Sequence, residues 1–173
     1  ESEAAPPAAE VLTVYSGRNE KLIGELIERF ERETGIRVQV RYGETAQLAA
    51  LLLEEGPRSP ADVFIAQDAG ALGALARSES LAPLPEPILA RVPDERFRSP
   101  DGVWVGLSGR ARVLAYNTQR VKPEELPRKV QALTDPSWKG RLGWAPGNAS
   151  FQAFVTALRL LQGEEAAVAW LRG

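Results

Sequence analysis

The chain has 173 residues, 44% hydrophobic and 25% charged, with a formal net charge of −2 at pH 7. That is enough for one ordinary domain or two small lobes. The charge balance leaves no footprint for a nucleic-acid partner, no apolar run reaches membrane-spanning length, and the absence of Cys and His removes disulfides, thiolate chemistry, the commonest transition-metal ligand and the commonest general base.

Residues 1–10 (ESEAAPPAAE) are small, Pro/Ala-rich and acidic, without periodicity. They are expected to be a disordered tether left after a signal peptide, which would place the protein outside the cytoplasm. Residues 11–15 (VLTVY) are apolar and β-branched, as in a buried strand. Ser16-Gly17-Arg18-Asn19 then turns into a helix, with Asn19 as N-cap, an apolar stripe of Leu22, Ile23, Leu26, Ile27 and Phe30, and Gly35 at its end. Residues 37–42 (RVQVRY) alternate as a strand with one polar face. Gly43-Glu44-Thr45 leads into a second helix, with Thr45 as N-cap and Leu48, Leu51 and Leu52 inward. Residues 62–66 (DVFIA) read as a third strand, followed by a small helix through Leu72 and Leu75.

Strands alternating with helices predict an α/β unit with a parallel sheet. Ligands of such sheets sit beyond the carboxyl ends of the strands. The loops at residues 16–19, 43–45 and 67–70 should therefore share one rim, where Asn19, Gln67, Ser16 and Thr45 would line a cleft.

Residues 81–100 are Pro-rich and read as irregular surface. Residues 103–107 and 111–116 read as two strands broken at Ser108-Gly109-Arg110, a break that suits a crossing between lobes. A short helix is expected from Pro123, a strand at residues 142–144, an amphipathic helix at 150–161 with Phe151, Val155, Leu158 and Leu161 inward, and another helix at 164–171. The chain stops just after that last helix and reads as cut in mid-fold.

Two motifs carry chemistry. Arg110 follows Gly109 at the inter-strand break, where a planar guanidinium can hold an oxyanion through two parallel charge-assisted bonds, or make a structural salt bridge. Asn148, Ala149 and Ser150 open a helix, whose unpaired N–H groups and dipole favour an anion, or which they simply cap. Tyr15 and Tyr42 end strands; a phenolate is a hard oxygen ligand, though strand tyrosines usually pack. No Gly-x-Ser-x-Gly elbow, His or Cys is present, so a non-enzymatic role is expected.

The segments at residues 12–18 (LTVYSGR), 30–36 (FERETGI), 60–64 (PADVF), 107–112 (LSGRAR) and 138–141 (WKGR), in that order, resemble the periplasmic ferric-iron-binding proteins, solute receptors of ABC importers. The resemblance implies a periplasmic-binding-protein-like, two-lobed α/β fold, of which this chain would hold the first lobe (residues 11–109) and the start of a second (110–173). It implies a monomer that clamps Fe3+ by hinge closure, using tyrosine phenolates and a synergistic anion, usually carbonate or bicarbonate, and delivers it to an ABC permease. The anion cradle would fall on Arg110, Asn148, Ala149 and Ser150. Two positions depart from the pattern: Asn19 stands where well-known members have His, and Gln67 where they have Glu, and neither amide suits Fe3+. The family's adjacent tyrosine pair would lie beyond Gly173, leaving Tyr15 as a weak metal candidate in this chain. Two other readings use the same fold: a receptor for an oxyanion or phosphonate, and a ligand-sensing or enzymatic domain.

Overall fold

A computed structural model describes residues 11–173; the predicted tether at residues 1–10 lies outside the described residues. The chain divides into two compact units, the first ending at Val105 and the second running Gly106–Gly173.

In the first unit β1 (Val11–Ser16) is the central strand of a three-stranded sheet of order β2-β1-β3. It pairs in parallel with β2 (Arg37–Tyr42) from Val11↔Arg37 to Ser16↔Tyr42, and with β3 (Val63–Ile65) from Val14↔Val63 to Ser16↔Ile65. Parallel neighbours need crossovers, and helices supply them. α1 (Glu20–Thr34) links β1 to β2, α2 (Thr45–Glu55) links β2 to β3, and α3 (Ala69–Arg77) follows β3. Gly35 closes α1 at φ 73°, donating its N–H to the Glu31 carbonyl, a left-handed cap that favours glycine. Val14, Tyr15, Ile23, Leu48, Ala49 and Leu75 form the core. The segment after α3 is mostly irregular, with one short helix, α4 (Glu86–Leu89), and a 3-10 turn at Glu95–Phe97.

The second unit is built differently. Three 3-10 turns, Pro123–Glu125, Val130–Thr134 and Pro136–Trp138, precede a helical pair, α5 (Ala149–Gln162) and α6 (Glu164–Arg172). Gly163, at φ 89°, joins the two helices, and Arg159 pairs with Glu164 across that joint. Edge-to-face rings hold the pair together: Trp144 against Phe151 at 5.2 Å and against Trp170 at 5.7 Å, and Phe154 against Trp170 at 5.6 Å. Trp170 also donates its indole N–H to the Val130 carbonyl at 2.8 Å.

Several expected elements take another form. The strands expected at residues 103–107, 111–116 and 142–144 do not form; Val105 makes a single antiparallel bridge to Arg98, and residues 106–116 and 142–145 carry no ladder. A strand needs a neighbour to satisfy its backbone, and β-propensity alone does not supply one. The helix expected from Pro123 is one 3-10 turn. In α1 only Ile23 of the apolar stripe is buried, while Leu22 and Leu26 stay 59% exposed. In α5, Phe151 and Leu158 are buried but Leu161 is 82% exposed. Thr45 is the first residue of α2 and Glu44 occupies the cap. Asn19 stands at the cap of α1 without a side-chain capping bond.

Candidate functional site

The three loops at the carboxyl ends of β1, β2 and β3 do share one rim, and hydrogen bonds knit it. Gly17 N–H donates to the Ile65 carbonyl at 2.7 Å, and Gly43 N–H to the Ser16 carbonyl at 3.1 Å. Gln67 donates its side-chain Nε2 to the Gly17 carbonyl at 2.9 Å and its backbone N–H to Thr45 Oγ1 at 3.3 Å. Gly17 is needed for this approach: a Cβ there would lie 2.1 Å from Thr45 Oγ1 and 3.2 Å from the Ile65 carbonyl oxygen.

The four residues expected to line a cleft therefore divide. Asn19 is exposed at the rim and Gln67 is half-buried in it. Ser16 and Thr45 are sealed beneath, at 0% and 2% exposure. Ser16 Oγ donates to the Arg18 carbonyl at 2.8 Å and accepts the Arg18 N–H at 3.1 Å, so both hydroxyls brace the loops and offer no surface to a ligand. Asp68 caps α3 by accepting the Gly70 N–H at 2.9 Å through Oδ1.

Tyr15 is corrected most clearly as a metal candidate. Side chains alternate along a strand, and Tyr15 turns into the core, where its hydroxyl donates to Glu55 at 3.0 Å. The Arg41 guanidinium lies 5.4 Å from its ring centroid, and Ser59 Oγ donates to the same carboxylate at 2.6 Å. Its phenol is spent on this part-buried polar cluster. Tyr42 is partly exposed at the end of β2; burial, reinforced by the negative Glu20, pushes its phenol above the ordinary range, which disfavours a phenolate.

In the second unit Asn148 caps α5. Its Oδ1 accepts both the Ser150 N–H at 3.0 Å and the Ser150 hydroxyl at 2.6 Å. Ala149 is the first helical residue, so its N–H has no intrahelical acceptor. Arg112 Nη2 donates to Ser150 Oγ at 2.9 Å, and the guanidinium carbon lies 5.7 Å from the Phe151 ring and 5.3 Å from the Phe154 ring. Arg110 is exposed two residues earlier, in the segment that forms no strand. Sequence reasoning assigned the cation to Arg110 and missed the contact of Arg112 with the helix start. The available signal was the repeated Arg in LSGRAR, but the Phe151 and Phe154 platform 39 and 42 residues away could not be paired with it from local pattern.

A separate cavity of about 320 Å³ in the second unit, bordered by Tyr116, Asn117, Arg120, Trp138 and Arg141 among others, includes none of the predicted site residues. Among the described residues no cluster of three or more Asp, Glu, His or Cys could hold a metal ion. No helix among them is long and apolar enough to cross a membrane.

The family described as bacterial extracellular solute-binding protein matches residues 58–173. The chain belongs to this family. Its similarity to characterised members is specific. It is 36% identical over 168 residues to the Fe(3+)-binding periplasmic protein of Serratia marcescens, a match covering 97% of this chain and 49% of that protein. It is 38% identical over 175 residues to the major ferric iron-binding protein of Neisseria meningitidis, covering 98% and 52%. Iron-bound HitA from Pseudomonas aeruginosa superposes with a TM-score of 0.91 at 38% identity, over 94% of this chain and 53% of that one. The Trichodesmium protein FutA, in complex with iron and citrate, gives 0.75 at 31% identity, over 93% and 51%. The chain thus has the α/β fold of the two-lobed ferric-binding proteins and spans about half the length of the relatives it matches.

Proposed function

We propose that this chain is part of an extracytoplasmic receptor that captures ferric iron together with a synergistic anion, carbonate or bicarbonate, and hands it to an ABC importer. The observation that carries the reading is the likeness to an iron-bound protein at 38% identity and a TM-score of 0.91. The chemistry of the residues supports it. Ferric iron is a hard ion that takes charged oxygen donors, and an anion completing its shell needs positive charge and N–H donors of its own. The second unit carries these as Arg110, Asn148 and the N–H of Ala149 at the start of a 14-residue helix. Ser150 contributes by fixing the cap. In the first unit Asn19 and Gln67 serve as uncharged rim contacts, reaching ligand directly or through water. The protein acts as a monomeric binder and catalyses nothing, and the iron is its cargo.

A second reading is a receptor for an oxyanion or phosphonate alone. It is favoured by the amides at Asn19 and Gln67, which stand where well-known members of the resembled family carry His and Glu. Titration of the full-length gene product with chelated Fe3+, followed in visible light, separates the two. A phenolate-to-iron charge-transfer band that requires bicarbonate is expected. No band, together with tight phosphate or phosphonate binding, would overturn the iron reading.

A further inference from the structure

We propose that Arg112 is a positioning and specificity-determining residue of the oxyanion site, supplying a fixed positive charge at the start of α5; this rests on the anion site proposed above. Ser150, expected to donate to the anion, is already committed. Its hydroxyl proton goes to Asn148 Oδ1 at 2.6 Å and its oxygen accepts from Arg112 Nη2 at 2.9 Å. Its backbone N–H goes to the same Asn148 oxygen at 3.0 Å. Asn148 Oδ1, an acceptor twice used, would repel an anion, so the attraction at this helix start must come from elsewhere.

Arg112 is built to provide it. A guanidinium is weakly hydrated, lies well on aromatic faces and carries five N–H donors in a planar fork. Here it rests beside two rings at 5.7 and 5.3 Å. Those rings are themselves held, since Phe151 is buried and packs edge-on to Trp144, and Phe154 packs against Trp170. One Nη2–H is tied to Ser150, which fixes the orientation of the fork without using its other donors. The cation is thereby ordered before any ligand arrives, which reduces the entropy lost on binding. Its attraction scales with ligand charge, so Arg112 should favour a dianion over a monoanion.

The test is titration of the 173-residue chain with inorganic phosphate and with bicarbonate, at a mildly alkaline pH where phosphate is a dianion. Backbone amide shifts of Gly147, Ala149 and Ser150 report binding, in the native chain and in R112Q, R112K and R110Q. R112Q is expected to weaken phosphate by about tenfold, the size of a lost charge-assisted hydrogen bond, and bicarbonate by less. R112K is expected to restore part of the preference for phosphate, because the charge returns without the planar fork. Equal loss of both anions in R112Q, unrelieved in R112K, would mean that Arg112 only packs the helix and would overturn the proposal. Weakening in R110Q with native affinity in R112Q would overturn it while leaving the anion site standing. A native chain whose amides respond to neither anion would overturn the anion site and the role of Arg112 together.

Discussion

The two units solve the problem of burying apolar surface in different ways. The first uses a registered parallel sheet, with β1 paired on both sides and helices returning across it. The second has no strand ladder among its described residues and relies on two helices and a cluster of four aromatic rings. The contrast shows in what stays outside. Leu107, Val113, Leu160 and Leu161 in the second unit are each more than 70% exposed, whereas Leu75 in the first is fully buried. In the sheet, burial concentrates on the central strand β1, at Val14, Tyr15 and Ser16, which its two neighbours and the helices cover. In the helix pair the buried positions are few: Phe151, a member of the ring cluster, with Leu158 and Ala167.

The largest expected break in this comparison is Leu75→Ala. Emptying a fully buried leucine site in α3 should cost about 2–5 kcal/mol, whereas Leu161→Ala, at an exposed position of α5, should change stability by no more than about 0.5 kcal/mol. Urea unfolding of both variants followed by far-ultraviolet circular dichroism decides it; equal losses would mean that α5 packs more deeply than the exposure of Leu161 indicates.

Next comes Gly17→Ala. The new methyl would stand 2.1 Å from Thr45 Oγ1, so the rim must shift, at about 1–3 kcal/mol. Thermal melting should show a lower midpoint, and the Gln67 amide should exchange with solvent faster; unchanged protection would refute the tight β1–α2 approach.

Tyr15→Phe and Trp170→Phe compare one part-buried hydrogen bond in each unit. Losing the hydroxyl on Glu55 should cost about 1–2 kcal/mol, since the carboxylate keeps Ser59 as a donor. Losing the indole N–H cuts the tie from α6 to the Val130 carbonyl and should cost a similar amount, about 1–3 kcal/mol including ring volume. The two variants can be ranked by denaturant midpoint, and a silent Trp170→Phe would show that the ring cluster does not anchor the 3-10 turn at Val130–Thr134.

The smallest effect concerns acid. The Ser137 hydroxyl, with its backbone N–H, holds the Asp135 carboxyl below the usual carboxylate range. A depressed folded-state value means stability that is present above the unfolded value of about 4 and is lost as pH falls through the folded value. Asp135→Asn should flatten the stability curve slightly in that acid window and leave it unchanged near neutrality. A native-like acid slope in the variant would assign the effect to other carboxylates.

These differences follow where local pattern was informative. In the first unit the three strands and α1 to α3 were legible because their periodicity is carried by their own residues, and alternating elements leave few topologies for a parallel sheet; the short α4 lies in a Pro-rich stretch read as irregular and has no periodicity to announce it. In the second unit α5 and α6 were legible for the same reason. The strands expected around Arg110 were not realised, because Val113, Leu114 and Tyr116 state a β-preference that only a neighbouring strand can turn into structure. The site divided in the same way. Asn148 as cap and Asn19 and Gln67 at the rim were readable from loop position. The sealing of Ser16 and Thr45 was not, since it depends on Gly17, Ile65 and Gln67 meeting across the sheet.

By itself, then, the sequence determined the order of the α/β elements and the capped start of α5, which depend on residues close in the chain, and the carboxyl-end rim, which follows from the parallel order of those elements. Only the tertiary structure decided that Tyr15 points to Glu55, that Ser16 and Thr45 lie under the rim, and that Arg112 reaches Ser150. These are contacts across 22 to 40 residues, from Gln67 on Thr45 to Tyr15 on Glu55, and side-chain direction over such separations is fixed by packing, which no local pattern records.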